Sequence, residues 1–273
     1  MIRKKHKTLI RSIRQLFFGY RGGPDFNCLE QKSFYLDSGF NLILELPRNN
    51  PKKLASSKWK DYPFTESGWF ESNYSQIGHS KYIPVYEAYW FFWPLIPTPL
   101  RGELGHLRIN FSVSKLSKSV NNCLELGEEV LKEYNDYYNS PIIGKYGLGH
   151  NAEIINKVDA HSERRAIPFS EEERKEQIEI NMKNRGYPYL KEFDCLEING
   201  VDWIRYVEIK SSDFKKKNVY ASLLGDEYYL SVEFYLSTNM SHSGKNWYKD
   251  AEDSIPRLMQ GVSLQPLNAN TNK

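Results

Sequence analysis

Metal binding, phosphate binding and acyl transfer each need particular side chains at particular spacings, and this chain carries fragments of all three. Six histidines, His6, His79, His106, His150, His161 and His242, are scattered along it. His150, Asp159 and His161 offer donor atoms suited to a divalent metal. Their spacing matches no compact ligand pair, and the segment reads as loop, so no metal is expected. Gly144-Lys145-Tyr146-Gly147-Leu148-Gly149 could cradle a phosphate through its backbone N–H groups. That use needs a buried strand before it, and the short, Pro-broken 139–143 does not supply one. Ser241-His242-Ser243 puts a hydroxyl beside an imidazole, but a catalytic triad is assembled in space and this segment reads as a turn. The acid pairs Glu128-Glu129 and Glu171 to Glu173 read as solvated helix faces. Cys28, Cys123 and Cys195 are far apart in sequence and odd in number, with no Cys-x-x-Cys. They read as free, buried thiols of a reducing compartment. No cofactor and no catalytic residue is expected.

Charge narrows the partners. The chain is formally +3, yet residues 1–22 hold Arg3, Lys4, Lys5, Lys7, Arg11, Arg14 and Arg21 with no acid, which leaves a mildly acidic body. A basic arm on such a body differs from a basic nucleic-acid binder. No zinc-finger, helix-turn-helix or RNP-like pattern accompanies it, and Lys215-Lys216-Lys217 reads as a charged loop or edge guard. If helical, the arm is amphipathic. Ile2, Leu9, Ile13, Leu16 and Phe17 share one side, while Arg3, Lys4, Lys7, Arg11 and Arg14 lie opposite, suited to a partner or an anionic membrane surface. Arg11 and Arg14 interrupt its apolar residues, whereas a secretory leader needs about 7–15 uninterrupted ones. A cytoplasmic protein is expected, with peripheral contact at the inner membrane as the variant.

The elements that must position these residues read as α+β. Phe34 to Leu36 and Phe40 to Leu46 are strands, and Tyr86 to Trp93 is a strand so aromatic that both its faces should be covered. Leu107, Ile109, Phe111 and Val113 alternate with His106, Arg108, Asn110, Ser112 and Ser114, which predicts a strand with one buried and one exposed face. A helical period follows from Leu116. Ser170 and Glu173 form a capping box that opens a charged helix ending near Arg185. Asn199-Gly200 predicts a tight hairpin. Strands around Leu224-Gly225-Asp226 and a helix from Lys245, kinked at Pro256, complete the pattern.

Strands followed by a helix occur in both halves. The sequence therefore predicts antiparallel sheets packed by helices in two similar modules: a basic arm over 1–23, a first module over 24–141, a polar linker with a charged helix over 142–186, a second module over 187–267 and a tail over 268–273. Residues 48–83 form a long loop carrying Trp59, Trp69, Phe70, Tyr74 and, near its end, Tyr82. Tyr and Trp are frequent interface anchors, so these five are the candidate partner-binding residues.

Trp203-Ile204-Arg205-Tyr206, Tyr220-Ala221-Ser222-Leu223, Tyr228-Tyr229-Leu230-Ser231-Val232-Glu233-Phe234 and the helix at Trp247 resemble bacterial immunity proteins that neutralise polymorphic or type VI secreted toxins. The resemblance covers the C-terminal part only and rests on packing patterns. It implies a non-enzymatic protein that binds and blocks a cognate toxin, and it carries over no functional residue. A secretion-system or membrane adaptor anchored by the basic arm, and an enzyme whose site is assembled from scattered residues, are the alternatives.

Overall fold

The computed structural model describes residues 19–37, 39–50, 59–96, 102–141, 148–210, 215–238 and 245–266. The arm residues Arg3, Lys4, Lys7, Arg11 and Arg14 lie outside these segments, as do Lys145 and His242. The α+β class is as expected. In the larger sheet the neighbours run Tyr20–Gly22 (β1), Ser80–Pro94 (β6), Gly105–Lys115 (β7), Tyr228–Thr238 (β11), Lys215–Leu223 (β10), Val201–Lys210 (β9) and Asp194–Ile198 (β8), with Ser75–Ile77 (β5) also paired to β6. The smaller sheet runs Val262–Pro266 (β12), Phe40–Pro47 (β3), Leu29–Leu36 (β2) and Asp61–Tyr62 (β4).

These strands do not divide into two modules. β7 and β11, one from each predicted module, pair antiparallel from Lys115 against Tyr228 to Gly105 against Thr238. The halves interlock again where β12 pairs with β3. The β6–β7 and β10–β11 hairpins would each present a long unpaired edge, and pairing one with the other satisfies both. A hairpin signal specifies its own two strands and is silent about the next neighbour.

One face of the larger sheet, the inner face of the smaller sheet and helix Asn246–Met259 (α5) share a single core. Leu107, Ile109, Phe111 and Val113 meet Val232, Phe234 and Leu236 there, together with Phe34, Leu42 and Leu44 from the smaller sheet and Ile255 and Leu258 from α5. The predicted alternation of β7 is therefore correct on its apolar side. The opposite side is not simply exposed, because Ser112 and Ser114 are buried and Arg108 and Asn110 are half-buried. α5 runs through Pro256 without ending.

Helix Cys123–Tyr138 (α2) covers the far face of the larger sheet through Leu126, Val130, Leu131, Tyr134 and Tyr138, packed on Ile204, Tyr206, Val219 and Tyr229. Asn122 caps it by accepting from the Glu125 amide at 2.9 Å. At Gly127 a Cβ would fall 2.3 Å from the Phe193 ring, so this close approach requires glycine. Glu129, expected to be solvated, is 3% exposed. It accepts from Lys118 at 2.8 Å and from the Ser117 hydroxyl at 3.3 Å. The predicted loop after 148 is in fact helix His150–Glu163 (α3), held to Glu171–Arg185 (α4) by a two-pronged Arg174–Asp159 pair. The capping box at Ser170 and Glu173 is present. No helix among the described residues is long and apolar enough to cross a membrane.

Candidate functional site

The far face of the larger sheet is where charge collects. Strand register places Tyr89, Arg108, Tyr235, Lys217 and Glu208 in one row across β6, β7, β11, β10 and β9. Glu87, Asn110, Glu233, Val219 and Tyr206 form the adjacent row. Pro84, Ser112, Ser231 and Ala221 come next. Their small side chains leave a well in the floor. The register of β6 shifts between Pro84 and Tyr86, a bulge that borders this hollow while the Tyr86 ring packs on Phe34 and Phe111 in the core. The result is a cavity of about 400 Å³, roofed by Tyr134 and Tyr138 of α2 and closed at one side by His79.

His79 sits at the β5–β6 turn, edge-on to the rings of Tyr134 and Tyr138 at 5.6 and 5.5 Å. Gly78 beside it has φ 61°, and a Cβ there would lie 2.5 Å from the Tyr138 hydroxyl. Only glycine lets this turn press against the helix.

The charges are mutually engaged. Lys217 donates to Glu233 Oε1 at 2.8 Å and lies 3.6 Å from Glu208 Oε2. Tyr235 donates to the other Glu233 oxygen at 2.5 Å. Arg108 lies 2.6 Å from Glu87 and donates to Asn110 at 2.8 Å, with its guanidinium 5.0 Å from the Tyr235 ring centre. Tyr89 donates to Glu87 at 2.5 Å. Burial works against the Lys217 charge. The Glu233 carboxylate, with Glu208 behind it, outweighs it and holds the ammonium pKa well above its ordinary value. Burial likewise opposes ionisation of Glu233, and Lys217 overcomes it, so its pKa lies below the usual carboxylate value. Burial raises the phenols of Tyr134, Tyr138, Tyr206, Tyr229 and Tyr235, which remain protonated donors at neutral pH.

Burial, with the Lys217 charge adding to it, pushes His79 down to about 4 from an ordinary 6.5. Between those values the unfolded chain takes up a proton that the folded chain does not, so stability falls as pH drops through that window. The expected loss is about 3 kcal/mol by pH 4. In urea melts, His79→Gln should shrink the fall in stability between about pH 7 and pH 4.5 by about 2–3 kcal/mol. Equal falls in both proteins would show that His79 is not held neutral.

Two polar atoms lining the cavity are left over. The Tyr134 hydroxyl, on a residue 2% exposed, and His79 Nδ1 have no hydrogen-bond partner among the described residues. Among the described residues no group of His, Cys, Asp or Glu is placed to hold a metal ion. His150 and His161 lie on α3, and Asp159 is committed to Arg174.

The candidate partner-binding aromatics are placed otherwise than expected. Phe70 is 1% exposed, packed on Tyr228 at 5.5 Å and stacked on Tyr74. Buried there, it cannot meet a partner. Within the predicted loop lies a one-turn helix, Trp69–Asn73 (α1), which turns Phe70 inward. Trp59 and Trp69 are half-buried, in edge contact with each other at 5.6 Å, and together with Tyr74 they pack on the main core. Tyr82 lines the cavity. Instead, half-buried aromatics stand on β6 beside the charged rows. Tyr89, Phe91 and Trp93 stack at 6.4 and 5.8 Å between ring centres, so the predicted covering of both faces of this strand is met on one face only.

Lys217 was expected in a loop or at a sheet edge, but β10 is an interior strand. Alternation of Lys217, Val219 and Ala221 with Asn218, Tyr220 and Ser222 marks the face on which Lys217 must lie, and only the pairing order reveals what it faces. Comparison with protein-family models, curated proteins and solved structures finds no match.

Proposed function

We propose that the protein is a non-enzymatic binding protein, an immunity-type inhibitor that neutralises a cognate protein toxin through the far face of its larger sheet. The carrying observation is the closed charge network on that face. Lys217, Glu208, Glu233, Arg108 and Glu87 are held by one another, and His79 is neutral, so the groups that could act as acid or base are already occupied. This network lies largely under the roof helix and holds the sheet rigid, so the half-buried aromatics beside it are preorganised, which favours recognition over turnover. The stacked Tyr89, Phe91 and Trp93 extend it with the residue types that anchor protein interfaces. The resemblance of the C-terminal strands and helix to immunity proteins supports a toxin as the partner.

The test is protection. A bacterial host carrying an inducible toxin domain, taken from a toxin-like gene sought beside this one, should grow when this chain is co-expressed. It should stop growing when the chain carries Phe91→Ala with Trp93→Ala. Growth arrest with the wild-type chain would remove this reading. Trp59→Ala and Trp69→Ala should preserve protection at permissive temperature, since both side chains pack on the core.

A second reading is favoured by the unpartnered Tyr134 hydroxyl and His79 Nδ1. In it, the cavity holds a small neutral ligand carrying both a hydrogen-bond donor and an acceptor. A melting-temperature rise with neutral nucleosides or monosaccharides that Tyr134→Phe abolishes would support it.

A further inference from the structure

The thiols are free, as expected, but they are not buried. Cys28 and Cys195 are exposed, and Cys123 is half-buried. Cys123 and Cys195, 72 positions apart in sequence, hold their Sγ atoms 3.3 Å apart. Cys123 opens α2, the helix that roofs the cavity, and Cys195 lies in the edge strand β8. The two sulfurs are already in contact, so side-chain rotation of about 1 Å brings them to bonding distance.

We infer that Cys123 and Cys195 are a redox modification site. They form a reversible disulfide that clamps the roof helix to the sheet edge. The oxidant is a peroxide. The Cys195 sulfur attacks one peroxide oxygen, the O–O bond breaks, and sulfenic acid and water result. The Cys123 sulfur then attacks the Cys195 sulfur. The S–S bond forms, the S–O bond breaks, and hydroxide leaves with the Cys123 proton as the second water. Two thiols lose two electrons and two protons to one peroxide, and a dithiol reverses the change. Cys195 takes the first step because it is exposed. Burial first, then contact with Cys195, pushes the Cys123 thiol up to about 12, so it remains protonated until that step. This inference does not depend on the identity of the partner.

The test uses the full chain, reduced and then treated with stoichiometric hydrogen peroxide, alkylated without reductant and digested. The expected product is a linked Cys123–Cys195 peptide beside an alkylated Cys28 peptide. The linked peptide should disappear with dithiothreitol and in Cys195→Ser. The oxidised protein should melt about 5 °C or more above the reduced one, because a long loop is closed. Alkylated Cys123 and Cys195 after peroxide, or links made only through Cys28, would overturn the site. A disulfide that leaves the melting temperature unchanged would overturn the clamp.

Discussion

Lys217→Met should lower folding stability by about 3–5 kcal/mol, because it strips the cation from buried carboxylates. Glu208 is 5% exposed, and Glu233 holds a 2.8 Å bond to Lys217. Methionine fills much of the same volume, so the loss reports charge rather than a void. Three outcomes separate this from ordinary strand disruption. Adding Glu233→Gln to Lys217→Met should recover part of the loss, since one uncompensated charge goes with it. The defect should be smaller near pH 5 than near pH 8, because carboxylates that lack the cation take up protons as pH falls. A melt by urea should show an unchanged slope and a lower midpoint. Additive single losses with no pH dependence would mean that the network is not coupled.

The second large effect is at Trp90. Its indole lies in the shared core of the two sheets, fully buried, and its N–H points at the carbonyls of Pro47 and Arg48 at 3.3 and 3.2 Å. A backbone bridge from Asn50 to Trp90 adds to the same junction. Trp90→Ala removes this packing and leaves a cavity, at a cost of about 3–5 kcal/mol. Trp90→Phe should cost less, since it keeps the ring and loses the N–H. A loss under about 1 kcal/mol for Trp90→Ala would show that the smaller sheet is not docked through this residue.

Much of the fold could be read locally. The alternation of Leu107, Ile109, Phe111 and Val113, the capping box at Ser170 and the Asn199-Gly200 turn all stand as expected, with Asn199 at φ 54°. Each of these signals is complete within a few residues. What failed was non-local. β12 has only Val262 and Leu264 facing the core, too short a run to announce a strand. α3 buries little beyond Asn151, Ile154 and Val158, so its helical period is faint. The cavity draws on six sheet strands, a helix and a turn, and none of its rows is contiguous in sequence. Lys217 within Lys215-Lys216-Lys217 looks like a solvated run until β9 and β11 are placed on either side of it. Trp59 and Trp69 cannot be told from Phe91 and Trp93 by residue type, and only the fold separates them: the former pack on the core, the latter stand half-buried and stacked on β6.

The proposal of a toxin-binding sheet face is tested most directly by calorimetric titration of the purified chain with the purified C-terminal domain of a toxin-like gene sought beside its own, in parallel with the Phe91→Ala/Trp93→Ala variant. Saturable binding by the wild-type chain is expected, weakened by about 2 kcal/mol or more in the variant with little change in melting temperature. No heat of binding with the wild-type chain, or equal affinity in the variant, would contradict recognition through this face.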